Sequence, residues 1–268
     1  MKLPRPLLVF DSGLGGLSVV EALRVQKPHG AIAYLADSAW LPYGTKPDDV
    51  LLARIESLLV ETCADLDPCG LVVACNTAST IALPALRARL SLPVIGTVPA
   101  VKPACEGSRS GVIGLLATSA TVNRPYIDDL MARHGAGVSL HRHGSAKLVL
   151  MAEAALRGAT LDPQAVAAEL APLTGIPDLD TIILGCTHFP LIRTALENSA
   201  PGLSFLDSGA AIARRVAEVV PDWAEGPSCG FFTAPEDAGL LSPCLTRLGI
   251  PRFFGAWTPD EGKDFDAV

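Results

Sequence analysis

Leu71-Val72-Val73-Ala74-Cys75-Asn76-Thr77-Ala78-Ser79 sets a thiol and two small hydrogen-bonding side chains directly after a short apolar run. Apolar residues without polar alternation match a strand buried on both faces, the habit of a parallel sheet. Ser79-Thr80, followed by Ile81, Leu83, Leu86 and Leu90, reads as the start of an amphipathic helix. Cys75 is therefore expected at the carboxyl end of a strand, where open α/β sheets bind ligands. A helix amino terminus beside it lowers a thiol's pKa from about 8.5 and raises its thiolate fraction. The same cysteine also reads as a small buried hydrophobe, the usual fate of a free thiol.

A second stretch repeats the arrangement. Asp180-Thr181-Ile182-Ile183-Leu184-Gly185-Cys186-Thr187-His188-Phe189-Pro190 runs from apolar residues to cysteine and threonine, then to a helix that Pro190 is placed to open. Two thiols are presented in the same way.

Around these stretches the elements alternate. Leu7 to Phe10 reads as a first strand, and Asp11-Ser12-Gly13-Leu14-Gly15-Gly16 as a glycine-rich turn into a helix from about Leu17 to Val25. The spacing gives neither GxGxxG nor the lysine of a P-loop, so the turn does not read as a nucleotide site. Asp11 either caps the helix or serves a site as a polar partner. Ala31 to Ala36 is a second strand, Asp37 to Thr45 a turn-rich loop, and Pro47-Asp48 opens a helix through about Cys63. Tyr43 in that loop either reaches a ligand or packs with its hydroxyl in water. Further strands lie at 93–96 and 111–116, the latter ending in Ala117-Thr118-Ser119-Ala120-Thr121, whose hydroxyls bind a carboxylate or cap a helix near Val122.

Val138 to Gly144 reads as a strand and loop. His141 and His143 suggest a metal, but no third ligand stands nearby and none is expected. Leu148 to Glu153 is helical, with Glu153 reading as a solvated side chain, and Asp162 caps the next helix. Asp207-Ser208-Gly209 repeats Asp11-Ser12-Gly13 and, with the doubled cysteine turn, hints at two related halves. A strand over 230–233, a helix over about 236–248 and Pro251 to Phe254 precede a polar end from Pro259 that reads as disordered. Such alternation specifies an α/β fold with parallel sheets.

Composition narrows the classes. The chain has 268 residues, 49% of them hydrophobic, enough for one large domain or two modest ones. A net charge of −7 without a basic block argues against nucleic acid as the main partner. No apolar run reaches the roughly 20 residues of a membrane span, and only four apolar residues precede Asp11 after the first prolines, too few for a signal peptide. The cytoplasm is the expected compartment. The seven cysteines form no CxxC pair and are odd in number, so they read as free thiols rather than a zinc site or disulfide framework.

Taken together the motifs resemble the glutamate racemases of the cofactor-independent aspartate/glutamate racemase family over nearly the whole chain. The carriers are Phe10-Asp11-Ser12-Gly13 with Gly15-Gly16, Tyr34 and Ala36-Asp37 with Pro42-Tyr43-Gly44, Ala74 to Ser79, Ala117-Thr118 with Thr121-Val122, and Leu184 to Leu191. A Cys-Pro pair common in the family before the helix of its glutamate is absent, and His143-Gly144-Ser145 stands there instead.

The resemblance implies two similar doubly wound domains, 1–98 with 208–268 and 99–207, with the active site between them. It implies racemisation of L- and D-glutamate without cofactor or metal, supplying D-glutamate for peptidoglycan. Cys75 and Cys186 are the implied acid–base pair. Asp11 supports Cys75, and His188 with Glu153 supports Cys186. Ser12, Pro42, Tyr43, Gly44, Asn76, Thr77, Thr118, Thr121 and Thr187 are the implied substrate contacts, with Asp11, both cysteines and His188 also lining the site. A homodimer is implied too. Some family members bind DNA gyrase, for which these residues carry no signal of their own.

Two fixed thiols suit the reaction, because inverting a Cα centre takes a proton from one face and returns one to the other. The carbanion between these steps needs hydrogen bonds aimed at its charge. Aspartate or a related amino acid is the alternative substrate. Cys186-Thr187-His188 also fits a thiol nucleophile and base for acyl transfer, which leaves Cys75 without a task. A pyridoxal phosphate racemase finds no Schiff-base context at any of the six lysines.

Overall fold

Leu7 to Phe10, Ile32 to Ala36 and Leu71 to Val73 are wholly buried, as apolar runs in a sheet covered on both faces must be. The structure is a computed structural model that describes residues 5–236 and 238–258, with nothing stated for the side chain of Ala238. The polar end from Pro259 and the first four residues lie outside the described residues.

The chain forms two compact units, Met1–Thr97 with Gly209–Val268, and Val98–Ser208. Unit 1 opens with β1 (Leu7–Asp11), α1 (Leu17–Gln26), β2 (Ile32–Ala36), α2 (Asp48–Leu66), β3 (Gly70–Val73), α3 (Asn76–Arg89) and β4 (Val94–Gly96). Unit 2 contains α4 (Val101–Gly107), β5 (Val112–Ala117), α5 (Ser119–Val122), α6 (Pro125–His134) and β6 (Ser139–Gly144). It continues through α7 (Ala146–Leu156), α8 (Pro163–Thr174), β7 (Thr181–Leu184), α9 (Arg193–Ser199) and β8 (Ser204–Leu206). The chain then completes unit 1 with α10 (Gly209–Val219), β9 (Cys229–Phe232), α11 (Ala238–Arg247) and β10 (Arg252–Phe254).

The sheet of unit 1 has the order β10-β9-β2-β1-β3-β4 and that of unit 2 the order β6-β5-β7-β8, all pairings among the described strands being parallel. Each unit thus repeats one winding: its first strand lies between its second and third. The chain reverses direction between the first and third strands, β1 and β3 in one unit and β5 and β7 in the other, which is where open α/β sheets offer a crevice. The fold is the doubly wound α/β arrangement expected. In unit 1, Leu51, Ile55, Leu58 and Leu59 of α2 pack with Ala78, Ala82 and Leu86 of α3 over the sheet. Unit 2 has separate clusters on its two faces, one around Leu148, Leu170 and Phe189, the other around Val101, Ile113 and Ile127.

Several local expectations are corrected. The helix after Cys75 begins at Asn76 rather than Ser79, with Cys75 as its N-cap, because Sγ accepts from the N–H of Ala78 at 3.5 Å. Pro190 sits in a 3₁₀ turn, Phe189–Ile192, and α9 starts only at Arg193. The helix after β5 begins at Ser119 rather than near Val122, with Thr118 as its cap. The doubled Asp-Ser-Gly does not occupy equivalent places: it follows the first strand of unit 1 but the fourth of unit 2, where Asp207 is ion-paired with Arg193. The doubled cysteine turn does, each following the third strand of its unit.

Candidate active site

In unit 1, β1 and β3 are neighbours with Phe10 opposite Val73, so the residues that follow them share the carboxyl edge of the sheet. Asp11, Ser12 and Cys75 meet there, all buried. Cys75 Sγ lies 3.7 Å from Ser12 Oγ. As the N-cap of α3 the sulfur stands at the positive end of a helix dipole, which favours negative charge. Asp11 does not cap α1, whose N-cap is Gly16; its Oδ1 accepts from the N–H of Gly13 at 2.9 Å. Tyr34 Oη donates to the Gly13 carbonyl at 2.6 Å, fixing the turn from beneath. A Cβ on Gly16 would stand 2.8 Å from Asp11 Cβ, so the glycine lets α1 start directly behind the carboxylate.

Asn76 and Thr77 open α3 and are buried, and Asn76 Oδ1 has no hydrogen-bond partner within the protein. An unpaired buried amide oxygen costs free energy unless something outside the chain satisfies it. Ser79 Oγ donates to the Val73 carbonyl at 2.9 Å and accepts from Thr97 N at 3.0 Å, tying α3 to β3 and to the residue after β4.

Leu41-Pro42 is a cis peptide, and Tyr43–Thr45 is a 3₁₀ turn against α3. The Tyr43 hydroxyl is neither in water nor free for a ligand: it donates to Asp37 Oδ2 at 2.7 Å. Arg54 also donates to Asp37, from Nε at 3.0 Å and Nη2 at 2.8 Å, and Thr233 Oγ1 does so at 2.7 Å. Burial first, then the charge and hydrogen bond of Asp37 and the charge of Cys75, push the Tyr43 hydroxyl well above its ordinary pKa, against the opposing charge of Arg54. The side chain of Tyr43 is thus held in place, while Gly44 stays half-buried at the turn.

In unit 2, β5 and β7 pair with Leu116 opposite Leu184, which sets Thr118 and Cys186 just beyond the same sheet edge. Thr118 Oγ1 donates to Thr121 Oγ1 at 3.0 Å and accepts from Thr121 N at 3.2 Å, so the two hydroxyls form one cluster. A Cβ on Gly144 would lie 2.8 Å from Ser119 Cα, so the glycine lets the end of β6 pack against this turn. Where the family's Cys-Pro pair is absent, Ser145 caps α7 by accepting from Leu148 N at 3.0 Å.

Cys186, Thr187 and His188 are buried. His188 Nδ1 lies 3.6 Å from Cys186 Sγ, and its Nε2 lies 2.7 Å from Glu153 Oε1. Glu153 is therefore not a solvated side chain: it is 4% exposed and points inward from α7. Burial works to lower the His188 pKa, but the hydrogen bonds and charges of Cys186 and Glu153 outweigh it and hold the imidazole well above its ordinary value. The imidazole thus stands between the Cys186 sulfur and the Glu153 carboxylate, one ring nitrogen facing each.

Sequence reasoning counted Asp37 among the motif residues without giving it a role, and passed over Arg54, Thr233 and Arg157. Arg157 follows Glu153 by four residues on one helix and pairs with it, a spacing that was open to inspection. Arg54 and Thr233 meet Asp37 from distant elements, and no local signal marks them. His141 and His143 are on edge strand β6, and among the described residues no group of three or more His, Cys, Asp or Glu is placed to hold a metal. All seven cysteines are free. No helix among the described residues is long and apolar enough to cross a membrane.

Comparison with known proteins points to one family. The glutamate racemase of Sphingopyxis alaskensis is 50% identical over 218 residues, 80% of this chain and 81% of that one. That of Granulibacter bethesdensis is 44% identical over 256 residues, 95% and 90% of the respective chains. A crystal structure of Escherichia coli glutamate racemase, in complex with L-glutamate and the activator UDP-MurNAc-Ala, superposes with a TM-score of 0.88 at 39% identity, covering 93% of this chain and 97% of that one. The profile of the Asp/Glu/hydantoin racemases matches residues 18–216, a span holding both thiols, and with relatives this similar along most of its length the chain belongs to that family.

Proposed function

We propose that the protein interconverts L- and D-glutamate without a cofactor, using Cys75 and Cys186 as the two acid–base groups. The observation that carries this reading is the equivalence of the thiols: each follows the third strand of its own sheet, at the point where the winding reverses. One sulfur, as thiolate, removes the Cα proton, and the other, as thiol, delivers its own to the opposite face. The roles exchange when the enantiomer does.

The supporting residues divide by unit. The start of α3 and the Ala78 N–H stabilise negative charge on Cys75, and His188 does so for Cys186. Asn76 Oδ1 offers an acceptor for the substrate ammonium. Thr77, the Thr118–Thr121 pair and Thr187 bind the α-carboxylate, whose charge grows as the carbanion forms. Ser12, Asp11 and the Pro42-Tyr43-Gly44 turn line the remainder, the turn setting the length of side chain admitted and favouring glutamate over aspartate. Acyl transfer through Cys186 and His188 would leave the matching position of Cys75 unused.

The product, D-glutamate, would serve peptidoglycan synthesis and so cell-wall construction and cell shape, in the cytoplasm, with the protein as a homodimer. The likeness to known glutamate racemases supports the D-glutamate product.

The test is incubation with L-glutamate in D2O, with Cα–H loss followed by NMR and optical rotation by circular dichroism. Wild type is expected to wash deuterium into Cα and lose rotation. Cys75→Ser and Cys186→Ser should each slow racemisation by at least about a hundredfold. Full activity in either variant would overturn the two-thiol reading, and faster turnover of aspartate would overturn the choice of substrate.

A further inference from the structure

Arg157 stands at the C-cap of α7, one turn beyond Glu153. Its Nη1 donates to the Glu153 carbonyl at 3.2 Å and also to the carboxylate Oε2. The other carboxylate oxygen faces His188 Nε2, and His188 Nδ1 faces Cys186 Sγ. Guanidinium, carboxylate, imidazole and thiol therefore form one line. It runs from a quarter-exposed arginine, 26% accessible, to a carboxylate of 6% and an imidazole of 3%.

A proton shared between a buried carboxylate and an imidazole has two resting places. It lies on Nε2, leaving an ion pair, or on Oε1, leaving two neutral groups. Burial favours the neutral arrangement, because both charges lose their hydration. A fixed cation on the far side of the carboxylate reverses that preference, since it is satisfied only by the ionised form. The bond to the Glu153 carbonyl holds the guanidinium at the negative end of the helix as well, so its position does not depend on the carboxylate alone.

We propose that Arg157 is a positioning residue for the proton transfers at Cys186: it keeps Glu153 ionised and aimed, so that His188 remains an imidazolium with its Nδ1–H toward the sulfur. The inference rests on the racemase reading. When Cys186 thiolate takes the Cα proton, an S–H bond forms as the C–H bond breaks. In the reverse sense the S–H bond breaks and the imidazolium faces the new thiolate. The imidazole gains and loses no proton in either direction. Without Arg157 the Nε2 proton passes to Oε1, and the sulfur loses its cationic neighbour.

The equilibrium constant of a racemisation is unity, so a lesion at one thiol lowers kcat/KM equally in both directions, and rate alone does not locate it. Primary isotope effects with α-deuterated substrates do. Arg157→Gln is expected to lower kcat/KM about ten- to a hundredfold. It should raise the isotope effect for the enantiomer deprotonated by Cys186 and diminish it for the other, and Arg157→Lys should restore much of the balance. An unchanged balance of isotope effects in Arg157→Gln, whatever the fall in rate, would mark the arginine as a helix cap only and overturn the proposal.

A readout free of turnover separates failure of this inference from failure of the racemase reading. In ¹⁵N-histidine protein at neutral pH, the ring assigned to His188 by its loss in His188→Asn should be doubly protonated in wild type and neutral in Arg157→Gln. A neutral ring in wild type, or a doubly protonated one in the variant, would overturn the role of Arg157 even if no racemisation is found.

Discussion

Tyr43 shows how a residue named for binding is itself held. Its hydroxyl and the Arg54 guanidinium share the fully buried Asp37 carboxylate, so the phenol is locked in its neutral form. In the unfolded chain a tyrosine ionises near pH 10, whereas the folded Tyr43 keeps its proton to higher pH. The unfolded state therefore binds fewer protons above about pH 10, and stability falls as pH rises through that window while being fully present below it. Urea denaturation of wild type and Tyr43→Phe between pH 8 and 11 is expected to show a steeper alkaline decline in wild type, by up to about 1.4 kcal/mol per pH unit. Equal slopes would mean that Tyr43 titrates as in the unfolded chain. The sequence put Tyr43 in a turn-rich loop, which its neighbours Pro42 and Gly44 made legible. Its partner Arg54 was not, since an arginine eleven residues further on, in an amphipathic helix, looks like any solvated charge.

At the scale of elements, the start of α1 depends on one missing methyl group. Gly16 passes behind Asp11 and beside the Tyr34 ring, where a Cβ would meet atoms at 2.8 and 3.1 Å. Gly16→Ala is expected to push the helix away from the Asp11-Ser12-Gly13 turn. The cost should be about 1–3 kcal/mol in denaturation experiments, with a fall in racemisation larger than the stability loss explains. Elements such as β1 and β7 were readable because an apolar run bounded by a turn leaves a buried parallel strand little choice. Helix starts were less so. Cys75 capping α3 requires a sulfur to accept a backbone N–H, a use weaker than that of the hydroxyl of Ser79, which instead turns back to the Val73 carbonyl. Glu153 read as solvated because its helical spacing does not reveal His188, which arrives from the turn after β7.

The molecule as a whole is one unit inserted into another, and that crossing followed from family likeness rather than from periodicity. Within unit 2 the two ends lie side by side, for the Ser208 hydroxyl donates to the Val98 carbonyl. With its own four-stranded sheet and two apolar clusters, a fragment spanning 98–208 is expected to fold alone, giving cooperative thermal unfolding and dispersed amide resonances. A fragment lacking both would show that unit 2 needs the rest of the chain.

Unit 1 has no such independence in time. Its strand β2 gains an outer neighbour only in β9, and β9 in β10, both of which follow unit 2 in the chain. During translation the outer hydrogen-bonding edge of β2 stays without β9 until all of unit 2 has been made. A chain cut short before Cys229 would keep one finished half and leave the outer edge of β2 open to pairing with other strands.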